Sequence, residues 1–243
     1  MSNIKFYSPS YKRADTSITQ DYLPYCKYVV AEFEAEDYKK NKKDIWVVPN
    51  NAQGSVSKIR NYILDNSKSK KIVMLDDDMS CIGRWQNQKV KKLNADEVLE
   101  FCENAFNICD ELGIKYWGMN LNCDKGAYRE YTPFSFTSTI LGPFQAFNNL
   151  DLRYSEDLPL KEDYDLSLQV LNKYRKTLRF NAYHYYVKQQ TNTGGCANYR
   201  TLDYEKKQFK LFQKKWGKKI VQEDKRSVGY DINPIVIVPI KGV

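Results

Sequence analysis

The fold is decided by residues 45–78, IWVVPNNAQGSVSKIRNYILDNSKSKKIVMLDDD, in which two short apolar runs flank a helical segment. The first run, Ile45–Val48, ends at a proline, and the second, Lys71–Leu75, is rich in branched side chains, as buried strands are. Between them, apolar residues recur at helical spacing behind Ser55, a candidate N-cap. The stretch therefore predicts strand, helix and strand, joined by a parallel crossover.

Elements of both kinds continue on either side of this stretch. Further strands are predicted at 4–8, 28–33, 115–121, 134–141 and 178–187, and further helices at 94–112, 162–174 and 201–220. The apolar, proline-bearing segment 232–240 predicts an edge strand or an extended arm. We expect an α/β fold with an open, mostly parallel sheet flanked by helices and a C-terminal helical extension.

Length and composition exclude several classes of protein. The chain has 243 residues, of which 42% are apolar and 28% charged, so we expect one folded domain. No apolar run reaches the roughly 18 residues that cross a bilayer, and residues 1–10 lack the regions of a signal peptide. The six cysteines form no CxxC pair, which favours reduced thiols and a cytoplasmic protein. The one histidine, His184, excludes a multi-histidine metal site.

Three aspartates follow the strand at 71–75, where KIVMLDDDMS places Asp76, Asp77 and Asp78 at its carboxyl end. In open α/β sheets, ligands bind at such strand ends. Alternate residues of an extended segment share a face, so we expect Asp76 and Asp78 on one side and Asp77 on the other. Carboxylates this close repel one another unless a cation neutralises them, and oxygen ligands suit Mg²⁺ or Mn²⁺. A solvated acidic turn is the alternative interpretation.

Several sequence features stand in the order in which GT-A-fold glycosyltransferases carry them. They are SPSYKRA with Arg13, YVVAEFE with Glu32 and Glu34, a helix with Arg60-Asn61, and the DDD triplet. Together they resemble the family 2 type of GT-A glycosyltransferase. The resemblance covers about two thirds of the chain, and it implies an enzyme that uses a nucleotide sugar, with UDP as the expected nucleotide.

The resemblance also implies which residues bind the donor and the metal. The donor-binding set is Arg13, Glu32, Glu34, Arg60, Asp76 and Asp77, and the metal-binding set is Asp78, Asp76 and His184. The acid that contacts the base or ribose is left open among Glu32, Glu34 and Asp37, with an ordinary charged loop as the alternative. For Arg60 the alternative is a surface salt bridge, and for His184 it is packing among aromatic residues.

A second motif, KEDYDLSLQVL, opens the helix at 162–174 with Glu162 and Asp163. It resembles the Glu-Asp signature of the same family, in which the aspartate is the general base on the acceptor hydroxyl. A carboxylate at a helix N-terminus is stabilised in its ionised form by the macrodipole. We therefore assign Glu162 and Asp163 as catalytic, with Asp165 as a second candidate for the base. The alternative is that these acids only favour the first helical turn.

The chain is basic, with 38 Lys and Arg against 30 Asp and Glu, a net charge of +8. Much of the excess falls in the C-terminal extension, where Lys214, Lys215, Lys218 and Lys219 are candidate contacts to a polyanion. A smaller cluster, Lys89, Lys91 and Lys92, follows the DDD motif. Gly194 and Gly195 in the loop TNTGGCANYR allow close approach of an acceptor. A solvated cationic face and an ordinary loop are the alternatives.

Compact size, a basic surface and the SPSYKRA, DDD, EDYD and NTGG motifs resemble the TET-associated glycosyltransferases. That family occurs in bacteriophages and is linked to sugar transfer onto hydroxymethylated pyrimidines in DNA. The resemblance implies inverting transfer to 5-hydroxymethylpyrimidine in phage DNA. It also divides one domain, 1–243, into a nucleotide-sugar half (1–93), an acceptor half (94–200) and a basic extension (201–243).

Other functions stay open at this point. The acceptor of the same reaction could be a cell-surface or capsular glycan. A non-enzymatic nucleic-acid-binding protein is a different class, in which the acidic triplet is structural. A metal-dependent nuclease would share the acids and the basic surface, but the sequence has no obvious nuclease motif with a lysine near those acids.

Overall fold

The computed structural model describes residues 3–121, 123–124, 126, 128–187, 200–224 and 232–240. Its strands are β1 (Ile4–Pro9), β2 (Cys26–Ala31), β3 (Ile45–Val48), β4 (Lys71–Leu75), β5 (Met79–Gln86), β6 (Lys89–Lys92), β7 (Tyr116–Asn120), β8 (Phe134–Ser135), β9 (Phe144–Asn148), β10 (Leu178–Val187), β11 (Val221–Glu223) and β12 (Pro234–Val236). Its α-helices are α1 (Thr19–Tyr22), α2 (Ala35–Lys40), α3 (Val56–Asn66), α4 (Ala95–Leu112), α5 (Glu162–Tyr174) and α6 (Leu202–Trp216). Two single 3₁₀ turns lie at Glu32–Glu34 and Asn50–Ala52.

Within the described residues, ten strands form one sheet with the order β3-β2-β1-β4-β9-β7-β10-β5-β6, and β8 pairs with β10. The strands β1 to β4 pair in parallel, as do β7 and β10, whereas β9, β5 and β8 run against their neighbours. Most strands of the sheet therefore point in the same direction, and only β5, β8 and β9 point in the opposite one. The predicted α/β class, with an open sheet flanked by helices, is confirmed.

Local sequence explains where the long helices begin and end. Asn94 accepts the backbone N–H of Glu97 at 2.9 Å and Glu97 accepts that of Asn94 at 2.9 Å, which is the predicted capping box of α4. Gly113 ends the same helix with a φ of 61°, in the left-handed region that favours glycine. The Ser55 hydroxyl accepts the backbone N–H of Lys58 and begins α3 as predicted.

Two apolar layers cover the two faces of the sheet. On one face, α4 packs Val98, Cys102 and Ala105 against a cluster that includes the fully buried Trp117. On the other face, α3 and α5 contribute a second cluster with four buried aliphatic side chains, Ile59, Ile63, Leu166 and Val170. Because the helices occupy both faces, the ligand site is left at the carboxyl edge of the strands.

The strand predicted at 134–141 is wrong in most of its length. Only Phe134–Ser135 is extended in the sheet, because the carbonyl oxygens of Phe136 and Ser138 accept hydrogen bonds from Thr177 instead of from a strand. The strand that enters the sheet is β9, with the sequence FQAFN, which lies between β4 and β7. It was missed because Gln145 reads as polar, although its side chain is fully buried and hydrogen-bonded.

Three further differences concern short elements. The strand predicted at 28–33 ends at Ala31, because Glu32–Glu34 form a 3₁₀ turn. The hairpin of β5 and β6 was not predicted, since its strands carry no regular alternation of apolar and polar residues. The helix predicted at 201–220 ends at Trp216, where Gly217 follows.

The C-terminal extension packs against α5. Phe209 and Phe212 of α6 are buried, as their helical spacing predicted, in a cluster with Leu158 and Leu168. Beyond α6, β11 and β12 form a separate antiparallel pair. Within the described ranges, no helix has both the length and the apolar character needed to cross a membrane.

Candidate active site

The DDD motif leaves the sheet at the end of β4, and hydrogen bonds to Ile18, Thr19 and Pro143 fix its backbone. The Asp76 N–H donates to the carbonyl of Pro143 at 3.1 Å, and the Thr19 hydroxyl donates to the carbonyl of Asp76 at 2.6 Å. The Asp77 carbonyl accepts the backbone N–H of Ile18 at 2.9 Å. Thr19 and Pro143 were not predicted as site residues, because nothing in their local sequence indicates a contact with the motif.

Asp77 points into the protein. Its side chain is 5% exposed and accepts hydrogen bonds from the Ser10 hydroxyl at 2.5 Å and from the Arg13 guanidinium at 2.6 Å. Ser10 in turn is bonded to the Tyr38 hydroxyl. Both oxygens of Asp77 are therefore used within the protein, and its direct contribution is to hold Arg13.

Asp78 lacks a close counter-charge of this kind. Among the described residues, its nearest cationic atom is Nη1 of Arg13 at 3.8 Å, while its side chain is 12% exposed. Burial, followed by repulsion from Asp76 and Asp77, raises the pKa of Asp78 to about 7. A carboxylate in this position would be stabilised by a cation, and its oxygens are of the kind that a divalent metal such as Mg²⁺ binds.

One guanidinium connects the two acidic motifs. Arg60, on α3, is 4% exposed in its side chain and lies 3.1 Å from Oδ1 of Asp76 through Nη2 and 3.1 Å from Oε1 of Glu162 through Nη1. The Tyr154 ring lies 5.7 Å from the guanidinium carbon. The alternative of a surface salt bridge does not apply to Arg60. The DDD motif and the Glu162-Asp163 motif therefore border one site.

Asp163 is held by two backbone N–H groups. Its Oδ2 accepts the N–H of Gly142 at 2.9 Å, and its Oδ1 accepts the N–H of Tyr164 at 2.7 Å. Burial raises the pKa of Asp163 above its ordinary value, although these hydrogen bonds oppose the shift. Burial, with repulsion from Asp163, likewise raises the pKa of Glu162. A carboxylate with a raised pKa and a fixed orientation is suited to accept a proton.

The turn at Gly142-Pro143 is a part of the site that the sequence signalled only as a strand end. Gly142 donates to Asp163 through its N–H, and Pro143 accepts from Asp76 through its carbonyl. Behind the turn, the Gln145 amide donates to the carbonyl of Gly142 at 3.0 Å and accepts from the hydroxyls of two buried tyrosines, Tyr116 and Tyr154. This network links the DDD motif to the Glu162-Asp163 motif.

Asp165, the second candidate for the base, has protein partners at both of its carboxylate oxygens. It is fully buried and accepts hydrogen bonds from the Ser155 hydroxyl at 2.6 Å and from the Trp216 indole at 2.7 Å, and it pairs with Lys215 at 2.8 Å. Its role is therefore to attach α6 to α5. Lys215, predicted as a contact to a polyanion, is already paired in this way.

The acids after β2 do not share a face, because the 3₁₀ turn replaces the predicted strand. Glu34 is buried and accepts the backbone N–H of Lys12 at 2.7 Å through Oε1, and burial raises its pKa. Its Oε2 is buried without a hydrogen-bond partner among the described residues. Glu32 is exposed. Near them, the ring of Phe33, which is 57% exposed, lies edge-on to the ring of Tyr11 at 6.4 Å.

His184 packs in the interior of the sheet. It is fully buried beside the rings of Trp85 and Tyr186, and its Nε2 lies 3.2 Å from the Tyr186 hydroxyl. Burial lowers the pKa of His184, which favours the neutral form of the ring. Over the described part of the chain, no three His, Cys, Asp or Glu side chains form a group that could hold a metal ion. These surroundings match the packed alternative for His184.

The remaining candidates lie at the C-terminal end. Lys214, Lys218 and Lys219 are exposed to solvent. Gly194 and Gly195 lie outside the described residues. The role of both sets in acceptor binding stays a prediction.

Solved structures with a similar fold come from two bacterial sources. A mycobacterial protein matches with a TM-score of 0.51 and 9% identity, over 96% of this chain and 83% of that one. S. aureus TarS 1–349 matches with a TM-score of 0.49 and 15% identity, over 75% of this chain and 59% of that one. Its complex with UDP matches with a TM-score of 0.48 and 16% identity, over 76% and 60%. The chain thus spans less than two thirds of the TarS structures, and at these identities the likeness concerns the fold alone.

The family comparison is more specific. No curated protein matches the chain. The sequence profile of the family described as TET-Associated Glycosyltransferase matches residues 4–195, which include β1, the DDD motif, Arg60 and the Glu162-Asp163 motif. This match confirms the predicted enzyme class at the level of the family, and the chain belongs to the TET-associated glycosyltransferases.

Proposed function

We propose that the protein transfers a sugar from a nucleotide sugar, a UDP-sugar in the first instance, to a hydroxyl group of an acceptor. The observation that carries this proposal is the bridge that Arg60 makes between Asp76 and Glu162. It brings an acidic motif of the donor side and an acidic motif of the acceptor side to one site. If the acidic turn were only a structural part of a nucleic-acid-binding protein, it would not need a second acidic motif bound to the same arginine.

The donor is proposed to lie at the carboxyl ends of β1, β2 and β4. Arg13, Glu34 and the exposed Phe33 border the region where the base and ribose would bind. The rings of Phe33 and Tyr11 offer an apolar surface to a base, and the free Oε2 of Glu34 can accept from an N–H or hydroxyl group. Glu32, exposed on the same turn, is the weaker candidate for this contact.

A divalent metal, Mn²⁺ or Mg²⁺, fits beside Asp78 and Asp76. Two carboxylates leave most coordination positions to water and phosphate, which is the way Mg²⁺ is commonly bound with phosphate substrates. When bound, the metal would neutralise charge on the departing nucleoside diphosphate. We do not assign His184 to this set, because it is fully buried and hydrogen-bonded to Tyr186.

Asp163 is proposed as the general base. It would take the proton of the acceptor hydroxyl while that oxygen attacks the anomeric carbon and the nucleoside diphosphate leaves with the electron pair of the old bond. Its two backbone N–H contacts orient the carboxylate, and Glu162 anchors the same helical turn to Arg60. Direct displacement of this kind inverts the anomeric configuration.

The acceptor we propose is a 5-hydroxymethylpyrimidine in phage DNA. Membership in the TET-associated family and the net charge of +8 support a polyanionic acceptor. The substituent of a paired pyrimidine lies in the major groove. The target nucleotide would therefore leave the base stack to bring its hydroxyl to Asp163.

The test is release of nucleoside diphosphate from a panel of nucleotide sugars with Mn²⁺. Each donor is incubated with DNA that contains hydroxymethylpyrimidine and with the same sequence without it. Release that depends on the modified DNA is the expected result. Absence of release with every donor and acceptor would contradict the proposal.

A second measurement addresses the metal. Asp78→Ala should abolish Mn²⁺-dependent binding of the donor, measured by calorimetry with UDP. The matched variant Asp77→Asn should act differently, because it removes an internal contact to Arg13 and should lower stability as well as binding. Metal-dependent UDP binding by Asp78→Ala at wild-type affinity would exclude Asp78 as a ligand.

A further inference from the structure

The hairpin of β5 and β6 carries a concentrated positive charge that the proposed chemistry does not use. Residues 79–94, MSCIGRWQNQKVKKLN, contain Arg84, Lys89, Lys91 and Lys92 and no acid. All four cations are exposed, and β6 is the edge strand of the sheet. Lys91 pairs with Glu97, whereas Lys89 and Lys92 have no acidic partner among the described residues.

Aromatic side chains accompany these cations. The Arg84 guanidinium lies over the ring of Tyr183 at 5.3 Å, and that ring stacks on Phe101 with centroids 3.9 Å apart and an interplanar angle of 18°. Residues 128–134 form a segment that faces the hairpin. In this segment the side chain of Tyr131 is 82% exposed and that of Phe134 is 43% exposed. Exposed aromatic rings that lie together along a groove are typical of a ligand-binding surface.

Two adjoining cavities lie between the hairpin and this segment. The lining of one, of about 530 Å³, includes Trp85, Tyr128, Arg129, Glu130 and Tyr131, and that of the other, of about 280 Å³, includes Arg84, Trp85, Tyr128 and Phe134. Trp85 and Tyr128 border both. The indole N–H of Trp85 is buried without a hydrogen-bond partner among the described residues.

We propose that this groove binds a single strand of DNA, with phosphates on the hairpin cations and bases stacked on the aromatic rings. Charge and shape favour this occupant over a neutral glycan, since a surface on which cations outnumber acids attracts phosphates and the flat rings accept any base. The groove defines where the strand next to the target nucleotide would run, so this inference rests on the proposed DNA acceptor.

The path of the chain supports this arrangement. β5 begins at Met79, directly after Asp78, and leads to Trp85. At about 3.3 Å per residue, the groove lies roughly 20 Å along the strand from the DDD motif. A strand held in the groove can therefore extend several nucleotides away from a target base held at Asp163.

The first test uses Tyr131→Ala and a fluorescein-labelled single-stranded oligodeoxynucleotide, with binding followed by anisotropy in the absence of donor. Loss of one stacking ring should lower the affinity about tenfold. Tyr131→Phe, which keeps the ring, should bind as the wild type does. Heparin, which has the charge without bases, should bind Tyr131→Ala with unchanged affinity. Because the ring is exposed, the urea midpoint should stay the same.

The second test concerns the cations. Lys89→Glu with Lys92→Glu should flatten the salt dependence of single-strand binding by about 0.7 in log–log slope for each lost phosphate contact. Wild-type affinity in both Tyr131→Ala and the double lysine variant would overturn the proposal, as would an equal loss of heparin and DNA binding in Tyr131→Ala. Since no nucleotide sugar is present, these outcomes are independent of whether the protein transfers a sugar.

Discussion

At the scale of single residues, Arg60 has the largest electrostatic effect on the candidate site. It is almost completely buried and lies between Asp76 and Glu162, whose charges it compensates. Burial raises the pKa of Glu162, which means that folding favours its protonated form. The contribution of this group to stability is therefore present at acidic pH and is lost as the pH rises through the raised pKa of the folded state.

Removal of this guanidinium should destabilise the protein in a pH-dependent way. We expect Arg60→Met to lower the free energy of unfolding by about 3–5 kcal/mol at pH 8, because two carboxylates lose their buried counter-charge. The loss should be smaller at pH 5, where Glu162 is protonated. Urea denaturation at both pH values measures the difference. The same loss at both would show that the charge of Glu162 is already compensated elsewhere.

Asp163 permits a separate test of chemistry. Asp163→Asn keeps an oxygen for one backbone N–H but cannot take a proton, so transfer should fall by about 10²–10⁴-fold while UDP affinity stays within a factor of two or so of wild type. Asp151→Asn is the matched control, since Asp151 is exposed and pairs with Lys173. Turnover numbers and calorimetry together give the result. Full activity of Asp163→Asn would refute its role as the base.

At the scale of elements, α6 braces the N-terminus of α5. Lys161, which precedes α5, pairs with Glu205 of α6 at 2.7 Å, and neither side chain is more than 2% exposed. At the other end of α6, Lys215 and Trp216 bind Asp165. The extension therefore positions the turn that carries Glu162 and Asp163.

The buried pair between these helices should show strong coupling. Glu205→Leu should cost about 3–5 kcal/mol in the free energy of unfolding, because Lys161 is left buried without its counter-charge. The double variant Lys161→Met with Glu205→Leu should recover most of this loss, since an apolar pair of similar size replaces the ions. Chemical denaturation of the single and double variants completes the cycle. Additive losses would mean that the two side chains are not coupled.

At the scale of the whole molecule, the positive charge is divided between two surfaces. The hairpin cations adjoin aromatic cavities, whereas the exposed lysines after residue 213 belong to a helix end whose aromatic residues pack inward. The first surface can stack on bases and the second can only attract phosphates. We expect these two surfaces to act as separate points of attachment for a polyanion.

The helical surface should contribute to affinity for duplex DNA without base preference. We expect Lys214→Glu with Lys218→Glu and Lys219→Glu to lower the log–log salt slope by about 0.9 for each phosphate contact that is lost. Lys215 is left unchanged because it pairs with Asp165. Titrations at several salt concentrations give the slope. An unaltered slope would identify this face as solvated surface only.

Much of the fold was predictable because its signals are local. The capping box of α4, the N-cap of α3 and the apolar run of β4 act over a few residues and appear in the structure as expected. The element that failed, β9, has a polar residue whose burial depends on two distant tyrosine hydroxyls. No pattern within FQAFN indicates those partners.

The same distinction between local and long-range contacts applies to the candidate site. Local sequence determines that Asp76 to Asp78 end a strand and that Glu162 and Asp163 begin a helix, because both positions follow from neighbouring residues. Only the tertiary structure decides that Arg60 bridges the two motifs, that Asp77 and Asp165 are used internally, and which cations adjoin open aromatic rings. The physical reason is that burial and hydrogen-bond partners depend on which distant segments pack together, and these choices set the charge and availability of each side chain.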